Sequence, residues 1–280
     1  MQPNTESRQP VHLTGEEATS SKPDEFTPFE GDPNFVLSLA RGLRVIEIFE
    51  GRTEGLTVTD VARETGFSRA AVRRLLITLE LLGYAEITGR VYRLRPPVLK
   101  LGFSYLSSTS LATMAQPVLE RVTEAAHESS SLSVLDDDQV LYLARSTAKR
   151  VMSVGLSVGS RLPAYCTSMG RVLLAALPDE ELTTVLNRLE IKALTPKTTV
   201  DKSLLQEIIR RVRMEGFALA DEELELGLRS LAVPVKTRSG RVIAAMNTGV
   251  HAARVSAADM IARFLPILRE NAEALGSCFG

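Results

Sequence analysis

The spacing of apolar residues divides the start of the chain into two parts. Residues 1–33 have no apolar periodicity and hold five of the thirteen prolines, a composition that buries too little apolar surface to fold. Beyond them, apolar residues recur at intervals of three and four, which predicts an amphipathic helix ending at Glu50. Its predicted apolar stripe is Val36, Leu39, Leu43, Ile46 and Phe49. We therefore expect a disordered leader over residues 1–33 and a first helix after it.

Two more helices and a hairpin are predicted next. Thr59 is placed to cap a short second helix, which Gly66 ends. Ser68 is placed to cap a third helix, which ends at Gly83. The predicted inner face of this helix is Val72, Leu75, Leu76, Leu79 and Leu82. Residues 84–87 and 91–94 are rich in β-forming residues and are predicted to pair as a hairpin.

This order of elements, over residues 34–95, is typical of a winged helix-turn-helix, whose third helix enters the DNA major groove. Turning the apolar face inward points Ala70, Arg73, Arg74 and Ile77 outward, with Arg69 at the margin. Residues 66–95 carry a net charge of +4, although the whole chain carries −1. Arginine forks match guanine edges and phosphate oxygens. The predicted DNA contacts are Ser68, Arg69, Ala70, Arg73 and Arg74 in the helix, with Arg90 and Arg93 in the hairpin.

A second domain is predicted after a linker helix within residues 96–110, where Pro96 and Pro97 interrupt the pattern. Over residues 111–280, groups of β-rich runs are set between amphipathic helices, which indicates an α+β domain with a largely antiparallel sheet. The predicted helices lie near 111–128, 168–177, 179–188, 203–215 and 256–275, and the strands near 131–136, 139–145, 151–155, 217–221, 229–236 and 241–248. Asp136, Asp137 and Asp138 are predicted to form a hairpin turn between two strands.

Composition narrows the possible functions. The 280 residues are 44% hydrophobic and 24% charged, which suits two folded domains. No apolar run reaches the roughly 18 residues of a membrane-spanning helix, and two cysteines cannot supply a four-thiolate zinc site. The three histidines are widely separated, and no nucleophile elbow is present. We expect no metal, no cofactor and no catalysis, and a cytoplasmic location.

Five stretches of the chain resemble the IclR family of bacterial transcriptional regulators. They are residues 56–62, 68–84, 162–175, 216–223 and 228–235. The resemblance extends from about Asn34 to the carboxyl terminus. Residues 164–170 and 244–247 are most similar to the branch that regulates aromatic-acid breakdown through the β-ketoadipate pathway.

The resemblance implies an overall architecture and a set of partners. The fold class would be α+β, with an N-terminal winged helix-turn-helix domain joined by a linker helix to a GAF-like α+β domain for effector binding and oligomerisation, residues 111–280. The protein would act as a homodimer or homotetramer on a palindromic operator in double-stranded DNA. Its effector would be a small organic acid, and no membrane would be involved.

The resemblance also implies where the effector pocket lies. By position, the pocket residues of the family fall on Ser168, Met169, Asp221, Ser230, Asn247 and Gly249. Asn247 and Gly249 stand where relatives often have serine, so two hydroxyl donors are lost.

Residue chemistry offers a reason for an anion site here. Ser168 is placed to cap the helix that follows, which would leave the amides of residues 168–170 free for an anion. Arg145 is a further candidate, because it could pair with a ligand carboxylate. A simpler interpretation stays open, in which Ser168 is only a cap, Asn247 a turn residue, and Asp221 part of a solvated turn.

The leading hypothesis is a DNA-binding transcriptional regulator that responds to an aromatic or dicarboxylic acid and controls aromatic-catabolism genes. Protocatechuate and β-ketoadipate are the first compounds to test. One alternative is a small-acid enzyme with an appended winged-helix domain, but the sequence shows no clear nucleophile or acid–base pair. Another is a winged-helix module that binds protein, whose binding would depend less on salt because no phosphate counterions are released.

Overall fold

A computed structural model describes residues 25–29, 31–102, 110–148 and 156–280. The chain divides into two compact units, Met1–Phe103 and Ser104–Gly280, and each is considered by itself below. The predicted strand at 151–155 lies outside the described residues. Residues 103–109 of the predicted linker also lie outside the described residues. In the earlier part of the linker, Pro96–Val98 forms a 3-10 turn and residues 99–102 continue as helix.

The first unit is a winged helix-turn-helix, as predicted. Its elements are α1 Leu37–Glu47, β1 Leu56–Thr57, α2 Val58–Thr65, α3 Arg69–Leu81, β2 Ala85–Thr88 and β3 Val91–Leu94. The strands form an antiparallel sheet in the order β1-β3-β2, in which Tyr92 pairs with Leu56 on one side and Ile87 on the other. Strand β1 was not predicted, because two residues are too few to show an alternating pattern.

Capping residues determine where the two helices of the helix-turn-helix begin. Helix α2 is capped by Thr57 and not by Thr59, so that prediction is wrong. Thr57 accepts a hydrogen bond from the amide of Asp60, whose carboxylate accepts one from the Thr57 amide. This reciprocal box needs an acidic residue three positions after the cap, which Thr59 lacks. Gly66 ends α2 at a φ of +74°, and Ser68 caps α3, both as predicted.

The end of the expected leader is folded, so the prediction of disorder is wrong for residues 25–29 and 31–33. Phe26 packs against the core of the first unit, with its ring centroid 6.1 Å from Phe67 and 6.0 Å from Phe35. Glu25 pairs with Arg44 of α1 at 2.9 Å. These contacts partly bury an aromatic side chain, although the proline-rich composition around it predicts no folded structure. Residues 1–24 and 30 lie outside the described part.

Helix α1 buries only part of its predicted stripe. Phe49, just after the helix, is buried, whereas Val36, Leu39 and Leu43 are 48–61% exposed. The reason is that only the later part of the α1 region reaches the core, where Val45 and Ile48 are buried instead. At the end of α3, Leu82 is also exposed, at 63%, and the prediction that it faces inward is wrong. The first unit therefore carries apolar side chains that it does not cover itself.

The second unit is an α+β domain, as predicted. Its helices are α4 Ser110–Ala126, α5 Ser168–Ala175, α6 Asp179–Arg188, α7 Lys202–Glu215 and α8 Ala257–Gly276. Its strands are β4 Ser130–Asp136, β5 Gln139–Ser146, β6 Arg161–Pro163, β7 Ala218–Asp221, β8 Leu228–Lys236 and β9 Val242–His251. They form one antiparallel sheet in the order β6-β5-β4-β9-β8-β7. The turn between β4 and β5 lies at Asp137, as expected.

Helices cover both faces of this sheet. Successive residues of a strand point to opposite faces, and on β9 Met246 belongs to one core while Ala245 belongs to the other. The first core lies under α4 and α8 and includes Leu268. The second lies under α5, α6 and α7 and includes Met169. The start of α5 is thereby held against the middle of the sheet.

Candidate DNA-binding face and effector cavity

The outer face of α3 is polar and basic. Ser68, Arg69, Ala70, Arg73 and Arg74 are exposed, and Arg90 is exposed in the hairpin turn, whereas Arg93 on β3 is partly buried. Val72, Leu76 and Leu79 are buried on the opposite face of the helix. The structure thus gathers the predicted contact residues of α3 on one open face of the first unit.

A cavity of about 430 Å³ lies in the second unit, between the start of α5, the sheet and residues 223–228. Six of the seven predicted ligand residues line it: Arg145, Ser168, Met169, Ser230, Asn247 and Gly249. Strand register brings together the four of them that lie on the sheet, Arg145, Ser230, Asn247 and Gly249. Ser131 pairs with Arg145 on one side and Asn247 on the other, and Ser230 pairs with Gly249.

The start of α5 offers donors on the cavity wall, although not as predicted. Thr167, in an extended conformation, is the cap and accepts from the Gly170 amide at 3.2 Å. Ser168 is therefore the first helical residue, and its role as a cap is a wrong prediction. Its hydroxyl oxygen is buried and has no hydrogen-bond partner among the described residues. The first intrahelical bond runs from the Arg171 amide to the Thr167 carbonyl. The amides of residues 168 and 169 precede it.

A close backbone contact fixes the position of this helix start. A Cβ atom on Gly170 would lie 2.2 Å from the carbonyl oxygen of Ala164. Only glycine permits α5 to approach the preceding segment so closely. The hydroxyl of Thr167 strengthens this contact, since it donates to the Pro163 carbonyl at 2.9 Å.

Asp221 is not brought to the cavity. Its carboxylate accepts a hydrogen bond at 2.8 Å from Nε of Arg229, its register partner across β7 and β8, and forms an ion pair with Nη2 of the same side chain at 2.8 Å. This cross-strand ion pair satisfies Asp221 away from the cavity wall, so its predicted ligand role is corrected.

The sequence does not predict the buried ion pair at the cavity wall. Both Nη atoms of Arg171 donate to the two carboxylate oxygens of Glu223 at 2.6 Å, and its Nε donates to the Tyr165 carbonyl at 3.0 Å. Glu223 lines the cavity, although it belongs to an acidic run that reads as a solvated turn. One sequence feature that indicates such a pair is Arg171 itself, because an arginine inside the apolar run of α5 needs a buried partner.

Cys166 is a buried free thiol on the cavity wall. Burial raises the pKa of this thiol to about 12, so it is neutral at physiological pH and a poor nucleophile. In the described part of the chain, no group of three or more His, Cys, Asp or Glu side chains could hold a metal ion. No helix there is long and apolar enough to cross a membrane.

The first unit is a winged helix-turn-helix whose α3 has a basic outer face, and the second is an α+β unit with a polar cavity. This combination is typical of a ligand-responsive transcriptional regulator. The model of the IclR helix-turn-helix domain matches residues 38–88, and that of the bacterial transcriptional regulator IclR C-terminal domain matches residues 103–277. The chain belongs to the IclR family. It is a DNA-binding transcriptional regulator and not an enzyme, which removes the alternative of an appended catalytic domain.

Relatives and solved structures agree with this assignment. The Pca regulon regulatory protein of Pseudomonas putida is 52% identical over 241 residues, which are 86% of this chain and 83% of that protein. A transcriptional regulator from Rhodococcus sp. RHA1 is 48% identical, with a TM-score of 0.77 over 86% of this chain and 97% of its own. An IclR homologue from Microbacterium hydrocarbonoxydans, solved with 4-hydroxybenzoate, is 27% identical, with a TM-score of 0.75 over 86% and 98% of the two chains.

Proposed function

We propose that this regulator binds a small organic acid in the cavity and controls genes for the breakdown of aromatic compounds. One observation carries the proposal. The hydroxyl of Ser168 is buried on the cavity wall without a partner in the described residues, beside two amides at the start of α5. A buried polar group normally has a partner, and a helix start favours an anion. A carboxylate would satisfy the hydroxyl and the amides together.

Other lining residues suit the rest of such a ligand. The guanidinium of Arg145 donates to the Ser131 hydroxyl at 3.1 Å and has further donors for a carboxylate. Asn247, Ser230 and Gly249 line the same cavity and supply amide, hydroxyl and backbone groups for polar substituents. Apolar contact for an aromatic ring or an aliphatic chain comes from Tyr142, Leu156 and Met169.

The class of acid is proposed from relatives. The similarity to a Pca regulon regulatory protein and to a homologue bound to 4-hydroxybenzoate favours an acid of aromatic catabolism. Protocatechuate, 4-hydroxybenzoate and β-ketoadipate, called the acid panel below, represent the aromatic and dicarboxylic possibilities.

For DNA, we propose that α3 reads the major groove with Ser68, Arg69, Ala70, Arg73 and Arg74, while Arg90 and Arg93 contact the backbone. We also propose a homodimer or homotetramer on a palindromic operator in the cytoplasm. An exposed apolar face, formed by Leu39 and Leu43 of α1 and by Val36 just before it, supports an interface between copies of the first unit. Leu43→Glu should weaken this association, measured by analytical ultracentrifugation.

Calorimetry with the acid panel tests the effector site. An acid that binds only the folded state stabilises it by about 2.7 kcal/mol at a hundredfold excess over Kd. Ser168→Pro removes the hydroxyl and one amide yet suits the first helical position, and Met169→Trp fills the cavity. Both variants should lose the stabilisation and keep DNA binding. Stabilisation that survives in both would place the ligand elsewhere, and no stabilisation of the wild type by any panel acid would reject the proposed effector class.

A further inference from the structure

The cavity that is proposed to bind an organic acid is itself lined by several glutamate side chains. Among the charged residues of its described lining, three are glutamates, Glu128, Glu223 and Glu225, and two are arginines, Arg145 and Arg254. Charges of the same sign inside a partly enclosed site repel each other strongly, since screening by water is reduced. An organic anion could not bind beside an uncompensated glutamate without a large loss of affinity.

Two of the three glutamates have a counter-ion. Glu128 pairs with Arg254, which is also on the lining, at 2.9 Å. Glu223 pairs with Arg171, which stands behind the wall and does not line the cavity. The third, Glu225, is exposed to solvent, where water and salt screen its charge.

Arg171 and Glu223 form a buried, bidentate ion pair. The two side chains are only 3% and 11% exposed, and both oxygens of the carboxylate accept from the guanidinium at 2.6 Å. The amide of Thr199 donates to the same carboxylate at 3.0 Å. Bidentate pairs of this kind are the strong ones, and counting Arg171 brings the three lining glutamates to an even balance with three arginines.

We propose that Arg171 determines the charge selectivity of the cavity. Glu223 links residues 223–228, one wall of the cavity, to α5 and to Thr199. Arg171 cancels the negative charge that this link places beside the ligand. Arg171 is thus a positioning residue that acts through Glu223, and it permits an anion to occupy a site lined by glutamates. This inference rests on the proposed effector function.

The proposal predicts an unequal effect of the two halves of the pair. Arg171→Met leaves a bare carboxylate on the wall and should weaken binding of the panel acids at least tenfold. Glu223→Gln removes that negative charge and leaves the positive Arg171 behind the wall, which does not repel an anion, so the affinity should not fall more than about threefold below that of wild type. The double variant Arg171→Met/Glu223→Gln should recover most of the loss. Arg171→Lys, which keeps the positive charge, should retain binding.

The test is isothermal titration calorimetry of the full chain with the acid panel and with 4-hydroxybenzamide, a neutral analogue of 4-hydroxybenzoate. The melting temperature and DNA binding of each variant report whether it is folded. Where the amide binds, Arg171→Met should affect it much less than the acid. If both single variants lose the same affinity for the acids and the double variant does not recover it, the pair has only a structural role and the proposal is overturned. If no panel acid binds the wild type, the proposed effector function fails first, and this inference fails with it.

Discussion

Phe26 provides a measurable test of where the DNA-binding unit begins. The ring is partly buried against the core and lies about 6 Å from both Phe67 and Phe35. Burying a whole phenylalanine side chain contributes roughly 1.5–3 kcal/mol, and an aromatic pair adds about 0.5–1.5 kcal/mol. For a partly buried ring with two neighbours, we expect Phe26→Ala to lower the unfolding free energy of the first unit by about 2 kcal/mol.

Hydrogen exchange read by mass spectrometry can localise this change. In Phe26→Ala, the buried amides of α2 and α3 should open about 30-fold more often, the factor that corresponds to about 2 kcal/mol. Peptides of the second unit serve as an internal reference. Phe29→Ala is the matched control, because Phe29 contacts Phe35 but is 48% exposed, and it should have less than half the effect. Exchange in Phe26→Ala that equals the wild type would refute a packed segment and restore the expectation of a disordered leader.

Three further predictions concern α3 and the region of α5. Arg73→Ala or Arg74→Ala should weaken DNA binding by about 1–3 kcal/mol if the side chain reads a base. If the side chain contacts phosphate, the slope of log affinity against log salt concentration should fall by about one. Anisotropy titrations at several salt concentrations that show neither change would remove α3 from the interface. With the pKa of the Cys166 thiol at about 12, a Cys278→Ser variant should resist a disulfide reagent at pH 8 while folded and react when unfolded; rapid reaction in the native state would contradict burial. Gly170→Ala should cost about 1–3 kcal/mol of stability and weaken acid binding by displacing the start of α5; an unchanged melting temperature in calorimetry would contradict the close contact.

Local signals made much of the fold predictable from sequence. The helices over 168–175 and 202–215 follow from apolar spacing, and Gly66 and Ser68 fix the turn before α3 through backbone conformation and capping. These features depend on residues within one or two turns of the chain. The antiparallel sheet follows because runs of strands set between helices favour such an arrangement.

The details that escaped prediction depend on contacts between distant residues. Whether Leu39 faces a core or solvent is decided by which helices cover α1, and a helical pattern does not contain that information. The carboxylate of Asp221 could bind hydroxyl groups of an effector, but it pairs instead with Arg229 on the neighbouring strand. The bond between Arg171 and Glu223 spans 52 positions along the chain, so only the fold brings the two together.

Coupling between acid and DNA tests the central claim most directly. A duplex selected from a random DNA pool by the full-length protein can be titrated by fluorescence anisotropy with and without a saturating panel acid. We expect the acid to change the Kd for that duplex at least fivefold and, because coupling is reciprocal, the duplex to change the Kd for the acid by the same factor. The change should disappear in Met169→Trp, whose filled cavity leaves α3 untouched. A duplex affinity that stays the same when the cavity is saturated with acid would contradict the account.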